Sequence, residues 1–185
     1  LATGMSFGNA LREMGQFDTA LHYCGQAAEG YATAMGAENP LVQAARVNIA
    51  AIHLARGDGH RAAEILDAAL DALTGRLGER HPFTVLATVN RAGAASMVDP
   101  ASAPSWWARA YERSRDVFGG EHLDTLLTAA GLAADRPAGT DEDGSRPGLD
   151  QVLAVLRRRF GAGHALVTRV AEGSRIVVDI ELPSA

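Results

Sequence analysis

The stretch RLGERHPFTVL, Arg76–Leu86, decides the fold of this chain. Its His81 could be a metal ligand or a catalytic base, or the stretch could be one boundary of a repeat. Three other segments have the same shape: MGAENPLVQ, FGGEHLDTL and FGAGHALVT, which begin at Met35, Phe118 and Phe160. With Leu77 as the start of the second, the successive offsets are 42, 41 and 42 residues. Such even spacing of an apolar-Gly-x-x-His/Asn signal indicates an internal repeat.

Each repeat reads as a pair of helices. Pro82 suits the first turn of one helix, where its missing N–H would be unpaired in any case. The segment RAAEILDAALDALTGRLG has the apolar period of a second helix, and Gly78 suits the position just after that helix ends. A pair this short cannot bury its own apolar face, so stacked pairs form the core.

The chain is therefore expected to be an all-α, right-handed α-solenoid of about four helix-turn-helix repeats with a short extended C-terminal tail. The predicted units cover about 1–39, 40–81, 82–122 and 123–164, followed by a partial capping helix over 165–173 and the tail over 174–185. The chain starts without Met and already in helical period, which predicts that it is a piece of a longer protein.

The pattern NIAxIHxAxGDxxxAAxIL, from Asn48 to Leu66, resembles a tetratricopeptide repeat. Ala50 and Ala62 match its small positions and Gly57 matches its inter-helix turn. The 42-residue period is similar to that of kinesin light chains and of actinobacterial regulators that place such repeats after an NB-ARC nucleotide-binding domain. The ending VVDIELPSA also resembles the DIEPP-type ending of the tetratricopeptide proteins of FxSxx-COOH peptide-modification systems. The resemblance implies a protein-interaction function in a larger cytoplasmic regulator.

The composition argues against several classes of function and location. The net charge is −5 and the chain has no lysine, so no basic patch predicts nucleic-acid binding. Aromatic residues make up only 5%, which leaves few platforms for stacking bases. Cys24 is the single cysteine, so a disulfide scaffold is excluded and a reducing cytoplasm is expected. No apolar run is long enough to predict a membrane span.

The register of the repeat predicts a mostly apolar concave groove, lined by the first helices. Asn48 and Asn90 are 42 residues apart and would form a ladder of amides there. A carboxamide both donates and accepts, so these side chains suit an extended peptide backbone. The alternative is that they bond only to a neighbouring helix or to water. The full predicted partner-binding set is Asn9, Arg12, Val47, Asn48, Ala51, Leu54, Leu86, Val89, Asn90 and Met97.

No pattern in the sequence indicates catalysis or a metal. The histidines at 81, 122 and 164 are a repeat apart and do not converge, and no cysteine pair supports zinc. We expect them to bond to backbone at the junctions, and we expect Cys24 to be a buried, inert thiol. No cofactor is expected. Because cations are sparse in the groove, recognition of an acidic peptide terminus is not expected.

Three further features remain. Of Trp106 and Trp107, one is expected in the core and the other exposed as a possible interface anchor. The Pro-, Gly- and Asp-rich insert from Asp135 to Gly148 reads as a flexible acidic loop. The stretch SRIVVDIEL alternates with the period of a strand, so the tail should be extended. It would either pack on its own chain or mediate a homodimer.

The sequence thus predicts a non-catalytic module for protein–protein or peptide interaction, acting as the sensor or scaffold of a larger cytoplasmic regulator. The alternative is a receptor domain that binds a small apolar peptide in its concave groove.

Overall fold

The computed structural model describes residues 1–135, 146–173 and 177–182. Within these residues all regular structure is helical. The helices are α1 (Ala2–Glu13), α2 (Phe17–Met35), α3 (Pro40–Arg56), α4 (Gly59–Leu77), α5 (Pro82–Val98), α6 (Ala103–Phe118), α7 (Leu123–Ala134), α8 (Leu149–Phe160) and α9 (Ala165–Ala171).

The helices stack as successive antiparallel pairs. The two helices of each of the pairs α1–α2, α3–α4 and α5–α6 pack closely on each other, and each second helix also packs on the first helix of the next pair. The first helices α1, α3, α5 and α7 additionally touch one another in sequence, whereas the second helices of the described chain have no comparable contact. The first helices therefore line the inner, concave side. The predicted all-α solenoid is confirmed.

The repeated His/Asn signal is a helix N-cap. The Nδ1 atoms of His81, His122 and His164 accept hydrogen bonds at 3.2, 3.3 and 3.2 Å from the backbone N–H two residues further on. Asn39 does the same through Oδ1 at 2.9 Å. These bonds satisfy N–H groups that an α-helix leaves unpaired at its start. Gly78, with φ of +82°, closes the preceding helix in a conformation that costs glycine little. The expected junctional role of the histidines is confirmed.

Small residues set the distance between the helices, and the tail completes the core. Ala20 and Ala62, one repeat apart, are fully buried, which allows close approach of helix backbones. The largest apolar cluster runs from α3 to α9 and includes Val178 and Ile180 of the tail. Leu182 packs against both this cluster and the smaller one built on α1 and α2.

The expectation of an exposed tryptophan is wrong. Trp107 is only 3% exposed, and its indole N–H donates to Ser96 Oγ at 2.9 Å. Trp106 is half-buried because two guanidinium groups cover its ring, with the Cζ of Arg109 and Arg91 at 3.9 and 4.7 Å from the ring centroid. Arginine stacks well on aromatic faces, so this ring is covered from within the chain.

The predicted acidic loop from Asp135 to Gly148 lies largely outside the described residues, which resume at Arg146. There Arg146 donates to a carboxylate oxygen of Glu112 at 3.0 Å, so the chain just before α8 is linked to α6. The N–H of Gly148 donates to Gln151 Oε1 at 3.1 Å, which caps the start of α8.

Candidate functional site

The described part of the tail, residues 177–182, lies along the concave side in an extended conformation. Its side chains alternate as the sequence predicts. Val178 and Ile180 are 4% and 1% exposed, whereas Val177 and Asp179 are half-buried and Glu181 is exposed. The groove is thus filled by a segment of the same chain.

Asn90 and Asn48 each hold one residue of this segment by both of its backbone groups. The Nδ2–H of Asn90 donates to the carbonyl of Val178 at 2.8 Å, and the N–H of Val178 donates to Asn90 Oδ1 at 3.0 Å. The Asn48 carboxamide makes the same two bonds to Ile180, both at 2.8 Å. Each carboxamide therefore pairs with the segment as a neighbouring β-strand would. We call these two pairs of bonds the asparagine clasps.

The clasps fix the direction of the bound segment. Val178 lies on Asn90 of α5, and Ile180 lies on Asn48 of α3, so the tail runs opposite to the order of the repeats. The N–H and C=O of one residue in an extended chain point to the same side, and those of the next residue to the other. One asparagine per repeat can therefore hold every second residue, while the alternate side chain stays free for other contacts.

Arg12 of α1 holds the residue between the two clasped ones. Its guanidinium donates from Nη1 to Asp179 Oδ1 and from Nη2 to Asp179 Oδ2, the latter at 3.1 Å, which is the forked geometry that favours carboxylates. Glu13 also accepts from Arg12, and its second oxygen accepts from Arg169 of α9 at 3.1 Å. The tail is thereby tied into an ionic network that joins the two ends of the described array.

The pKa values in this network favour the charged forms. Burial opposes the charge on Arg12, but the hydrogen bonds and charges of Asp179 and Glu13 outweigh it and raise the pKa of the guanidinium. Burial likewise opposes ionisation of Glu13, yet Arg12 and Arg169 outweigh it and lower the pKa of that carboxyl. By contrast, burial raises the pKa of the Asp124 carboxyl on α7, and the charges of Asp179 and Glu181 raise it further against the opposing effect of His122.

The other residues of the predicted partner-binding set differ in how deeply they are buried. Val47, Ala51 and Val89 are fully buried and Leu86 is 8% exposed, so they belong to the core beneath the groove. Leu54 and Met97 line a cavity of about 430 Å³ that Val177 borders. Asn9 is half-buried, and its buried Oδ1 has no hydrogen-bond partner.

Sequence reasoning left the occupant of the groove open, because the extended tail was expected either to pack on its own chain or to mediate a homodimer. The alternation of Val178, Asp179 and Ile180 predicts an extended segment, and the two asparagines predict a receptor for one, but nothing in the sequence pairs them. The sparse cations argue against recognition of an acidic peptide terminus, but that expectation does not cover an acidic side chain such as Asp179, which Arg12 binds. Arg12 and Asp179 are 167 residues apart, so no local pattern could show this ion pair.

Neither a metal-binding cluster nor a reactive thiol is found among the described residues. No group of three His, Cys, Asp or Glu side chains among them is arranged to hold a metal ion. Cys24 is fully buried, and burial together with the charge of Asp179 raises the pKa of its thiol to about 11, against an opposing effect of Arg12. In the same part of the chain, no helix is both long and apolar enough to cross a membrane.

Comparisons with known proteins agree with this architecture. The model of the tetratricopeptide repeat family matches residues 1–41. Among solved structures, a Podosopora anserina protein described as a kinesin light chain with nearly identical TPR-like repeats has a TM-score of 0.68 at 18% identity, and a single-substitution variant of it has 0.67. Each comparison covers 91% of this chain and 80% of the other. The search of curated proteins found no match. The fold is therefore that of a tetratricopeptide-type repeat array, a fold that generally mediates protein–protein interaction.

Proposed function

We propose that this chain is a non-catalytic interaction module whose concave groove binds an extended protein segment. The observation that carries this proposal is the pair of asparagine clasps. Asn48 and Asn90 are fully buried, and both the amide N–H and the oxygen of each side chain are hydrogen-bonded to the backbone of the tail. Backbone hydrogen bonding supplies affinity in this mode of recognition, and pockets for alternate side chains supply selectivity.

The wider role follows from the resemblance to regulators with a nucleotide-binding domain. On this proposal the array is the sensor or scaffold part of a larger cytoplasmic regulator, where binding in the groove reports the presence of a partner. The second candidate, a receptor domain for a free apolar peptide, is favoured by the burial of Val178 and Ile180, since the groove already accepts two aliphatic side chains. The two differ only in whether the bound segment belongs to a folded protein.

The experiment needs the 185-residue chain with an empty groove. Ile180→Asp places a charge where the wild-type side chain is 1% exposed, which should release the tail without altering the groove. The probe is a fluorescein-labelled peptide with the sequence of residues 173–185, followed by fluorescence anisotropy, and circular dichroism checks that each variant is folded. We expect saturable binding to the Ile180→Asp chain.

The asparagines are then tested in that background. Adding Asn48→Ala or Asn90→Ala removes two hydrogen bonds worth about 1 kcal/mol each, so we expect affinity to fall by roughly 30-fold. Asn9→Ala is the matched control, since Asn9 makes no hydrogen bond to the tail, and should leave affinity unchanged. Absence of binding to the folded Ile180→Asp chain, or equal binding by the Asn90→Ala variant, would contradict the proposal.

A further inference from the structure

Arg12 is placed to select the side chain between the two clasped residues. The residue is only 6% exposed and lies on the concave side of the first helix pair, where its guanidinium meets Asp179. The asparagine clasps bind backbone groups, which every residue except proline presents alike. Selectivity for sequence must therefore come from the side chains of the segment and from what faces them.

The three central side chains of the tail meet three specific environments. Val178 and Ile180 enter the apolar core, so their positions accept aliphatic side chains and disfavour polar ones. Asp179 points to the other side and meets the buried guanidinium of Arg12. Glu181 is exposed, and its position imposes little selection.

A buried guanidinium needs an anionic partner. Without the tail, the anionic partner that the described residues leave to Arg12 is Glu13, whose carboxylate is half exposed and is shared with Arg169. A neutral residue opposite Arg12 would leave part of the fork without an acceptor, and a basic residue would add repulsion at short range. The groove should therefore discriminate strongly at this one position.

The tail also competes with any partner that fits the groove. The tail is covalently attached to the array, and a segment tethered within a few residues of its site has an effective concentration on the order of millimolar. An incoming segment must displace residues 177–182 before it reaches Asn48 and Asn90.

From these observations we propose that the partner segment carries an apolar–acidic–apolar sequence read by Arg12, and that the C-terminal tail is a built-in competitor for it. This inference rests on the proposed function and adds the sequence class of the partner and the regulation of the site. The tail sequence Val178-Asp179-Ile180 is itself one member of that class, so it supplies the probe.

The selectivity test compares three labelled peptides of residues 173–185 on the Ile180→Asp chain: the natural sequence, Asp179→Asn and Asp179→Lys. The Asn peptide lacks the carboxylate that hydrogen-bonds to the Arg12 cation, so it should bind about 10- to 100-fold more weakly than the natural peptide. The Lys peptide should bind more weakly still. In a chain that also carries Arg12→Gln, the preference for Asp over Asn should disappear. Equal binding of the Asp and Asn peptides would overturn the proposal, and this comparison holds even if Arg12→Gln fails to fold.

The competition test uses the natural peptide on two versions of the 185-residue chain. The unmodified chain should bind it at least tenfold more weakly than the Ile180→Asp chain, because its own tail occupies the groove. Equal affinities would overturn the competitor role. The outcomes separate the two proposals: if no peptide binds either chain, the proposed function fails, whereas binding without preference for Asp defeats only the inference about sequence class.

Discussion

Asn90→Ala should release the tail from the groove. The substitution removes the carboxamide that pairs with both backbone groups of Val178, and Asn90 is fully buried in the native chain. If the tail stayed in place, the N–H and C=O of Val178 would be buried without partners, at a cost of about 1–3 kcal/mol for each group. Undocking returns both groups to water and avoids that cost.

The magnitude follows from a balance of terms for residues 177–182. Burial of the Val178 and Ile180 side chains contributes about 3–6 kcal/mol, as an upper estimate. Four clasp hydrogen bonds contribute about 4 kcal/mol together, and the bonds of Arg12 to Asp179 about 1–3 kcal/mol. Fixing six backbones costs about 6–12 kcal/mol. The favourable and unfavourable terms are therefore of similar size, so losing one clasp, about 2 kcal/mol, should shift the docked-to-undocked ratio roughly 30-fold.

Amide hydrogen exchange measured by NMR gives this ratio directly. In the unmodified chain the N–H of Val178 and of Ile180 should be protected, and both should lose about 30-fold of that protection in Asn90→Ala, because the tail opens as one unit. Amides of α3 and α4 should keep most of theirs. Asn9→Ala serves as the matched control. Unchanged protection of Val178 in the folded Asn90→Ala chain would refute the reasoning.

Three further predictions concern other parts of the fold. Cys24 of the folded chain should resist alkylation at neutral pH and react faster as the pH approaches its raised pKa of about 11. The urea-unfolded chain should react readily at neutral pH, and equal rates for the folded and unfolded chains would contradict the burial of Cys24. Burial lowers the pKa of His53, so the stability contributed by its neutral imidazole is complete above its ordinary pKa of 6.5 and is lost as pH falls. In chemical denaturation, the free energy of unfolding of His53→Gln should therefore fall less between pH 7 and 5 than that of the unmodified chain. Gly131→Ala would bring a Cβ to 2.5 Å from the ring of Trp107, so thermal unfolding should show a stability loss of about 1–3 kcal/mol. Gly75 on α4 has open space around it, so Gly75→Ala should instead stabilise the fold by about 0.5–1 kcal/mol. Equal effects of the two substitutions would contradict the packing described.

The solenoid could be predicted from sequence because its signals are local and repeated. His81 lies immediately before Pro82, and the cap hydrogen bond spans only two residues, so the same short pattern recurs wherever the same junction recurs. The alternate burial of Val178 and Ile180 was equally visible, since a strand's period of two is local as well. Asn48 and Asn90 could be singled out because the repeat places them at equivalent positions.

The identity of the groove's occupant could not be predicted, because it depends on contacts between distant parts of the chain. Asp179 meets Arg12 only after the array has curved and the tail has folded back across it. The same holds for part of the cover of Trp106, because Arg91, one of the two guanidinium groups over its ring, belongs to the neighbouring helix α5. Apolar periodicity shows which face of a helix is buried, but it does not show what covers that face.

The central claim is that Asn48 and Asn90 hold the extended tail of their own chain. The most direct test is the nuclear Overhauser effect between the backbone N–H protons of Val178 and Ile180 and the side-chain amide protons of the two asparagines. The account predicts these cross-peaks within a single chain, with unchanged intensity on dilution. Random-coil shifts for residues 177–182, or cross-peaks that appear only between differently labelled copies, would contradict it.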